Sequence, residues 1–120
     1  MKKILVVDDD PNITFTFKVI LEKEGFQVDT YNDPSKAASD FQPGSYSLAL
    51  LDIRMPKMNG FELYREIRKK ETEVKVCFVT AFEISKDEVG HPTADGSVVF
   101  LRKPVGAEEL ADKVQKMISA

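Results

Sequence analysis

The sequence predicts an α/β protein: a five-stranded parallel sheet with helices on both faces. Three observations predict it. Short apolar runs, mostly rich in β-branched residues, recur at 4–7, 48–51, 76–79 and 98–101, with a weaker, half-polar run at 27–31. Each is too short for a buried helix and reads as a strand. Amphipathic stretches with helical spacing fill the gaps, and strands alternating with helices build a parallel sheet covered on both sides.

The elements follow in order. The strand at 4–7 leads into a helix over 11–24, with Ile13, Phe17, Ile20 and Leu21 on one face and Gly25 as its stop. Asp10-Pro11 reads as helix-start chemistry. The half-buried strand at 27–31 is followed by Asp33-Pro34, an N-cap with proline at the first helical position, and that helix ends near Gln42-Pro43-Gly44. After the strand at 48–51, Met55-Pro56 and Asn59-Gly60 shape a loop. A helix over 60–70 then turns Leu63, Tyr64 and Ile67 inward. After the strand at 76–79, Ser85-Lys86-Asp87-Glu88 opens like a helix, but Gly90-His91-Pro92 interrupts it. Proline removes a donor and clashes with the preceding turn, so a short helix and an irregular stretch to Gly96 are expected. The strand at 98–101 precedes a last helix over 107–118, with Leu110, Val114, Met117 and Ile118 inward and Glu108-Glu109 in its positive first turn. Right-handed crossovers limit the topologies. Five strands in this alternation suit the doubly wound, flavodoxin-like order 2-1-3-4-5, whose ligand crevice lies at the carboxyl ends of strands 1 and 3.

Bulk properties exclude several function classes. A chain of 120 residues fits one domain spanning 1–120 and buries enough surface to need no disulfide. The net charge of −3 argues against direct nucleic-acid binding and against a membrane-surface binder, both of which need a basic face. The single cysteine, Cys77, lies in an apolar run and reads as a small buried hydrophobe. Residues 4–7 are too short for a signal peptide's apolar core or a membrane span, so a cytoplasmic protein is expected. His91, the one histidine, reads as a solvated loop residue.

The chemistry lies at the carboxyl ends of the strands. Strand 1 runs into Asp8-Asp9-Asp10, strand 3 into Asp52, strand 4 into Thr80 and strand 5 into Arg102-Lys103-Pro104. In the order 2-1-3-4-5 the first and third strands are neighbours, so Asp8, Asp9 and Asp52 converge. Converging carboxylates repel and lose hydration, and a hard divalent cation relieves both costs. Mg²⁺ suits two carboxylates plus a backbone carbonyl, with Mn²⁺ as an alternative. A carboxylate can also attack phosphorus to give an acyl phosphate, with cation, lysine and hydroxyl sharing the charge on the transferred oxygens. Lys103 and Thr80 are of the right types for those roles.

Ile4-Leu5-Val6-Val7-Asp8-Asp9-Asp10, Leu50-Leu51-Asp52-Ile53-Arg54-Met55-Pro56-Lys57-Met58-Asn59-Gly60, Val79-Thr80-Ala81 and Phe100-Leu101-Arg102-Lys103-Pro104 together resemble the motifs of response-regulator receiver domains, the CheY-like phosphoacceptor half of two-component signalling. The resemblance covers the whole chain in the right order. It implies that Asp52 is the phosphoacceptor, receiving phosphate from a histidine kinase's phosphohistidine or a histidine phosphotransfer protein. It implies that Asp9 and Asp52 bind Mg²⁺ through their side chains, Arg54 through its backbone carbonyl and Asp8 largely through water. Lys103 would pair with the phosphoryl oxygens, Thr80 would bond the phosphoryl group and move with it, and Phe100 would be the aromatic that follows Thr80. Lys103-Pro104 matches the family's cis peptide.

A receiver is a phosphoacceptor with self-phosphorylation and autodephosphorylation only, not an enzyme acting on a free substrate. Its conformation around strands 4 and 5 controls a downstream protein, which the sequence does not name. Two departures stand out: the irregular stretch at 82–96, where the family has a regular helix in its output face, and Phe100 in place of the more usual tyrosine. The Arg54 guanidinium is expected to reach toward the phosphoryl group and alter its lifetime. Phe15 and Val19 fall off the core face of the first helix and are expected to help dock the histidine-bearing partner. Phe82 reads equally as an exposed contact or a lid.

Two other functions compete. A haloacid-dehalogenase-type phosphatase also starts with an apolar strand and an aspartate pair spaced as in Asp8-Asp9-Asp10. The residues that follow, Pro11-Asn12-Ile13, match that class poorly, and the chain is short for it. A degenerate receiver acting only as a scaffold is opposed by the presence of Asp9, Asp52, Thr80 and Lys103.

Overall fold

The strands pair through their backbones somewhat beyond their apolar runs. The structure, a computed structural model, describes residues 2–81 and 98–119. Its elements are β1 (Lys3–Val7), α1 (Pro11–Lys23), β2 (Gln27–Tyr31), α2 (Pro34–Asp40), β3 (Leu48–Asp52), α3 (Gly60–Lys70), β4 (Lys75–Thr80), β5 (Val98–Arg102) and α4 (Ala107–Ser119). Ladder hydrogen bonds carry β3 to Asp52, β4 to Thr80 and β5 to Arg102, although these residues are polar. The expected short helix after Ser85, Phe82, His91 and the stretch to Gly96 lie outside the described residues.

All strand pairs are parallel, in the order β2-β1-β3-β4-β5. Successive side chains of a strand point to opposite faces, and both faces are covered. Ile4, Val6 and Leu50 meet Phe17, Leu21, Leu110 and Val114 from α1 and α4. Leu5, Val7, Leu51 and Phe78 meet Leu63 and Ile67 from α3 and Ala37 from α2. Strands β1 and β3 are central and read as unbroken apolar runs. Strand β2 is an edge and shows the half-buried pattern expected of it. Cys77 is fully buried, and burial pushes its thiol up to about 12.

Helix ends follow local chemistry. Asp10 caps α1 by accepting from the Asn12 N–H at 2.9 Å, and Asp33 caps α2 by accepting from the Ser35 N–H at 2.9 Å. Gly25 closes α1 with a φ of 92°, where a side chain would be strained. One inward residue of α1 departs from the hydrophobic spacing: Thr14 is buried, while Ile13 and Ile20 are only partly so. Phe15 and Val19 are exposed as expected, at 67% and 38%.

Candidate functional site

Asp8 follows the last residue of β1, and Asp52 ends β3 beside it. Side-chain oxygens of Asp8, Asp9 and Asp52 lie within 4.8 Å of one another, as the strand order requires. Asp8 and Asp52 are buried at 3% and 6% exposure, whereas Asp9 is exposed. Backbone amides orient the two buried carboxylates. The Asp10 N–H donates to Asp8 Oδ1 at 2.9 Å, and the Ile53 N–H donates to Asp52 Oδ1 at 3.0 Å.

Lys103 reaches into this cluster from the end of β5. Its Nζ donates to Asp8 Oδ2 at 2.8 Å and to Asp52 Oδ1 at 3.5 Å. Its resting partner is therefore chiefly Asp8. The Lys103 N–H donates to the Thr80 carbonyl at 2.7 Å, which ties the ends of β4 and β5 together. The Lys103-Pro104 peptide is cis. Thr80 is buried at 3% exposure, one residue beyond the β4 position that pairs with Asp52.

One ammonium does not neutralise the cluster. Burial, then the Asp8 charge, raises Asp52 to about 6, against the lowering effect of Lys103. Burial raises Asp8 as well, although the Lys103 hydrogen bond opposes it. Burial pulls the Lys103 ammonium down, but its bonds and charge interactions with Asp8 and Asp52 outweigh that and raise it. An all-oxygen donor set, clustered and under-neutralised, fits a hard divalent cation.

The loop after β3 supports Asp52 from below. Gly60 opens α3, and its N–H donates to the Ile53 carbonyl at 2.9 Å. A Cβ at Gly60 would sit 2.3 Å from the Asp52 carbonyl oxygen, so no side chain fits there. Asn59 and Glu62 form a reciprocal capping box, with the Glu62 N–H donating to Asn59 Oδ1 at 2.9 Å and the Asn59 N–H to Glu62 Oε1 at 3.0 Å. The Asn-x-x-Glu spacing carries that signal in the sequence. Lys57, with φ of 70°, centres a tight turn in which the Met58 N–H donates to the Pro56 carbonyl at 2.8 Å.

The structure thus gathers Asp8, Asp9, Asp52 and Lys103, with Thr80 adjoining. Arg54 is exposed just beyond Asp52. Phe100 lies apart from the cluster, stacked on its register partner Phe78 with centroids 5.2 Å apart and planes at 21°. Asn32, just after β2, donates its amide to the Asp8 carbonyl at 2.8 Å. The sequence alone did not single it out.

Fold and site define a flavodoxin-like α/β protein with a cluster of three carboxylates and a lysine at its topological switch point. The sequence profile of the response regulator receiver domain matches residues 4–115, and the chain belongs to that family. It is 46% identical over 118 residues to the transcriptional regulatory protein CpxR homolog of Haemophilus influenzae, covering 98% of this chain and 51% of that protein. It is 31% identical over 121 residues to the response regulator receiver protein CpdR of Brucella abortus, covering 100% of this chain and 99% of that protein. The response regulator protein TrrA of Thermotoga maritima, solved in complex with Mg(2+)-BeF, superposes with a TM-score of 0.79 at 36% identity, covering 98% of this chain and 99% of that one. TrrA has also been solved in complex with the histidine kinase ThkA. The chain spans about half the length of the first curated regulators it matches. Membership of this family displaces the phosphatase reading. Among the described residues, no helix is long and apolar enough to cross a membrane.

Proposed function

We propose that this chain is a phosphorylation-controlled switch of a two-component system, with Asp52 as its phosphoacceptor. The observation that carries the proposal is the placement of the Asp52 carboxylate within 4.8 Å of two others and 3.5 Å from Lys103, at the carboxyl edge of the sheet. The Asp52 carboxylate must be ionised to attack. With an ordinary value raised to about 6, it is mostly ionised at neutral pH. An Asp52 oxygen attacks the phosphorus of a phosphohistidine, the N–P bond breaks, and the departing imidazole keeps the electron pair and takes a proton from water. The Asp9 and Asp52 side chains and the Arg54 carbonyl, with Asp8 acting largely through water, would hold Mg²⁺, or Mn²⁺ in its place, and the bound cation would supply positive charge that offsets the carboxylates and the transferred oxygens. Lys103 turns its ammonium from Asp8 and Asp52 toward the new oxygens. Thr80 follows with its hydroxyl, and Phe100, stacked on Phe78 at rest, changes rotamer as Thr80 moves.

The chain acts as an acceptor that promotes its own phosphorylation and slow hydrolysis, not as an enzyme turning over a free substrate. TrrA's complex with a histidine kinase supports a kinase or histidine phosphotransfer protein as donor, with Phe15 and Val19 in the docking patch. Conformational change around β4 and β5 passes the state on to a downstream protein in the cytoplasm, and the net charge of −3 supports a readout through protein and not through direct nucleic-acid contact by this domain. The test is phosphotransfer from a histidine kinase labelled on its histidine. Label should pass to the wild type and not to Asp52→Asn. Label that passes equally to the mutant would place the acceptor elsewhere.

A further inference from the structure

Asn32 takes no part in this chemistry, yet it grips the backbone that carries two of the three carboxylates. Its Nδ2 donates to the Asp8 carbonyl at 2.8 Å and to Thr14 Oγ1 at 3.0 Å. The partners fix the amide's orientation. A carbonyl can only accept, and the Thr14 hydroxyl donates its one proton to the Pro11 carbonyl at 3.2 Å, so it too accepts from Asn32. Serving both acceptors uses both protons of one NH2 group on a short stem. Thr14 is a firm anchor, buried in α1 at 3% exposure. The Asp8 N–H is held from the same side, donating to the Tyr31 carbonyl at 3.1 Å. The end of β2 therefore holds Asp8 by both its N–H and its C=O, and the exposed Asp9 follows directly.

We infer that Asn32 is a positioning residue for the cation pocket, pinning the Asp8 carbonyl to α1 so that the Asp8 and Asp9 carboxylates leave the backbone in the direction of Asp52. The inference rests on reading Asp8, Asp9 and Asp52 as that pocket. The three carboxylates repel one another in the metal-free protein. Without the tether, the loop at 8–10 relaxes away from Asp52 and must be recaptured for binding, so affinity falls. Asp52 itself sits on β3 and has its own supports in Ile53 and Gly60, so its reactivity at saturating cation is untouched.

The test is Asn32→Ala in the full chain, with three readouts. Calorimetric titration with Mg²⁺ should show a dissociation constant raised about three- to tenfold, the loss expected of one or two partly exposed hydrogen bonds. Amide exchange in the metal-free protein should be faster at Asp9 and Asp10. The Mg²⁺ concentration for half-maximal labelling by acetyl phosphate should rise by the same factor, with the rate at saturating Mg²⁺ unchanged. Thr14→Val, which removes the second acceptor together with the hydroxyl's own bond to the Pro11 carbonyl but leaves the Asn32 bond to the Asp8 carbonyl, should weaken Mg²⁺ binding in the same direction and by less. A wild-type dissociation constant in Asn32→Ala, or a loss of rate that saturating Mg²⁺ does not restore, overturns the inference while leaving the pocket intact. A wild-type protein that takes up no Mg²⁺ overturns the pocket reading, and the positioning role with it.

Discussion

Replacing Asp52 by asparagine should make the metal-free protein more stable, and the gain should depend on pH. Burial and the Asp8 charge raise the Asp52 carboxyl from 3.8 to about 6. A folded carboxyl that holds its proton more tightly than the unfolded one loses stability as pH rises through the interval between the two values. The penalty is therefore absent below about pH 3.8, grows between 3.8 and 6, and is complete above 6. A shift of about two units corresponds to about 3 kcal/mol at pH 8 and about 1 kcal/mol at pH 4.5. Effective screening inside proteins is stronger than a dry interior would give even at buried sites, so the measured gain at pH 8 should fall between about 1.5 and 3 kcal/mol. Asparagine keeps an oxygen that can accept from the Ile53 N–H, so the change removes charge with little loss of bonding. The assay is urea unfolding of both proteins in a chelator at pH 8 and pH 4.5. Added Mg²⁺ should then stabilise the wild type by mass action, by about 2.7 kcal/mol at a hundred times its dissociation constant, and the mutant by less. An asparagine variant no more stable than wild type at pH 8, or equally advantaged at both pH values, would refute the reasoning.

Other outcomes follow from the same geometry. Gly60→Ala puts a Cβ against the Asp52 backbone carbonyl, which cannot yield without moving the end of β3; it should cost about 2–3 kcal/mol in urea unfolding and slow phosphorylation of what remains folded. Asn59→Ala breaks both arms of the α3 capping box and should cost about 1 kcal/mol by the same assay, with Mg²⁺ affinity retained. Arg54→Ala should change the rate of phosphoryl loss, measured as decay of the labelled protein after donor removal; an unaltered rate means the guanidinium does not reach the phosphoryl group.

Much of this was legible in the sequence for one reason: a strand buried on both faces must be apolar until it leaves the core, and the first acidic or polar residue marks its exit. That places Asp8, Asp52, Thr80 and Arg102 at one edge, with Lys103 directly after Arg102, and proline and aspartate mark the starts of α1 and α2. The sequence hides interactions that need a partner distant along the chain. Asn32 looks like any loop asparagine, since its target is a backbone carbonyl 24 residues earlier, contributed by a neighbouring strand. Gly60 reads as a loop-shaping residue at a helix start, yet its role is close approach to Asp52, with no positive φ involved. Thr14 breaks the hydrophobic spacing of α1 because its hydroxyl is spent on Pro11 and Asn32. The sequence points Lys103 toward an incoming phosphoryl group, and at rest its shorter contact is to Asp8.

The central claim is that Asp52 accepts phosphate with help from a divalent cation. It is tested most directly by incubating the protein with acetyl phosphate, with and without Mg²⁺, and recording intact mass beside Asp52→Asn. The account predicts one phosphoryl adduct on the wild type that requires Mg²⁺ and is absent from the mutant. An adduct that forms without Mg²⁺, or that persists in the mutant, would contradict it.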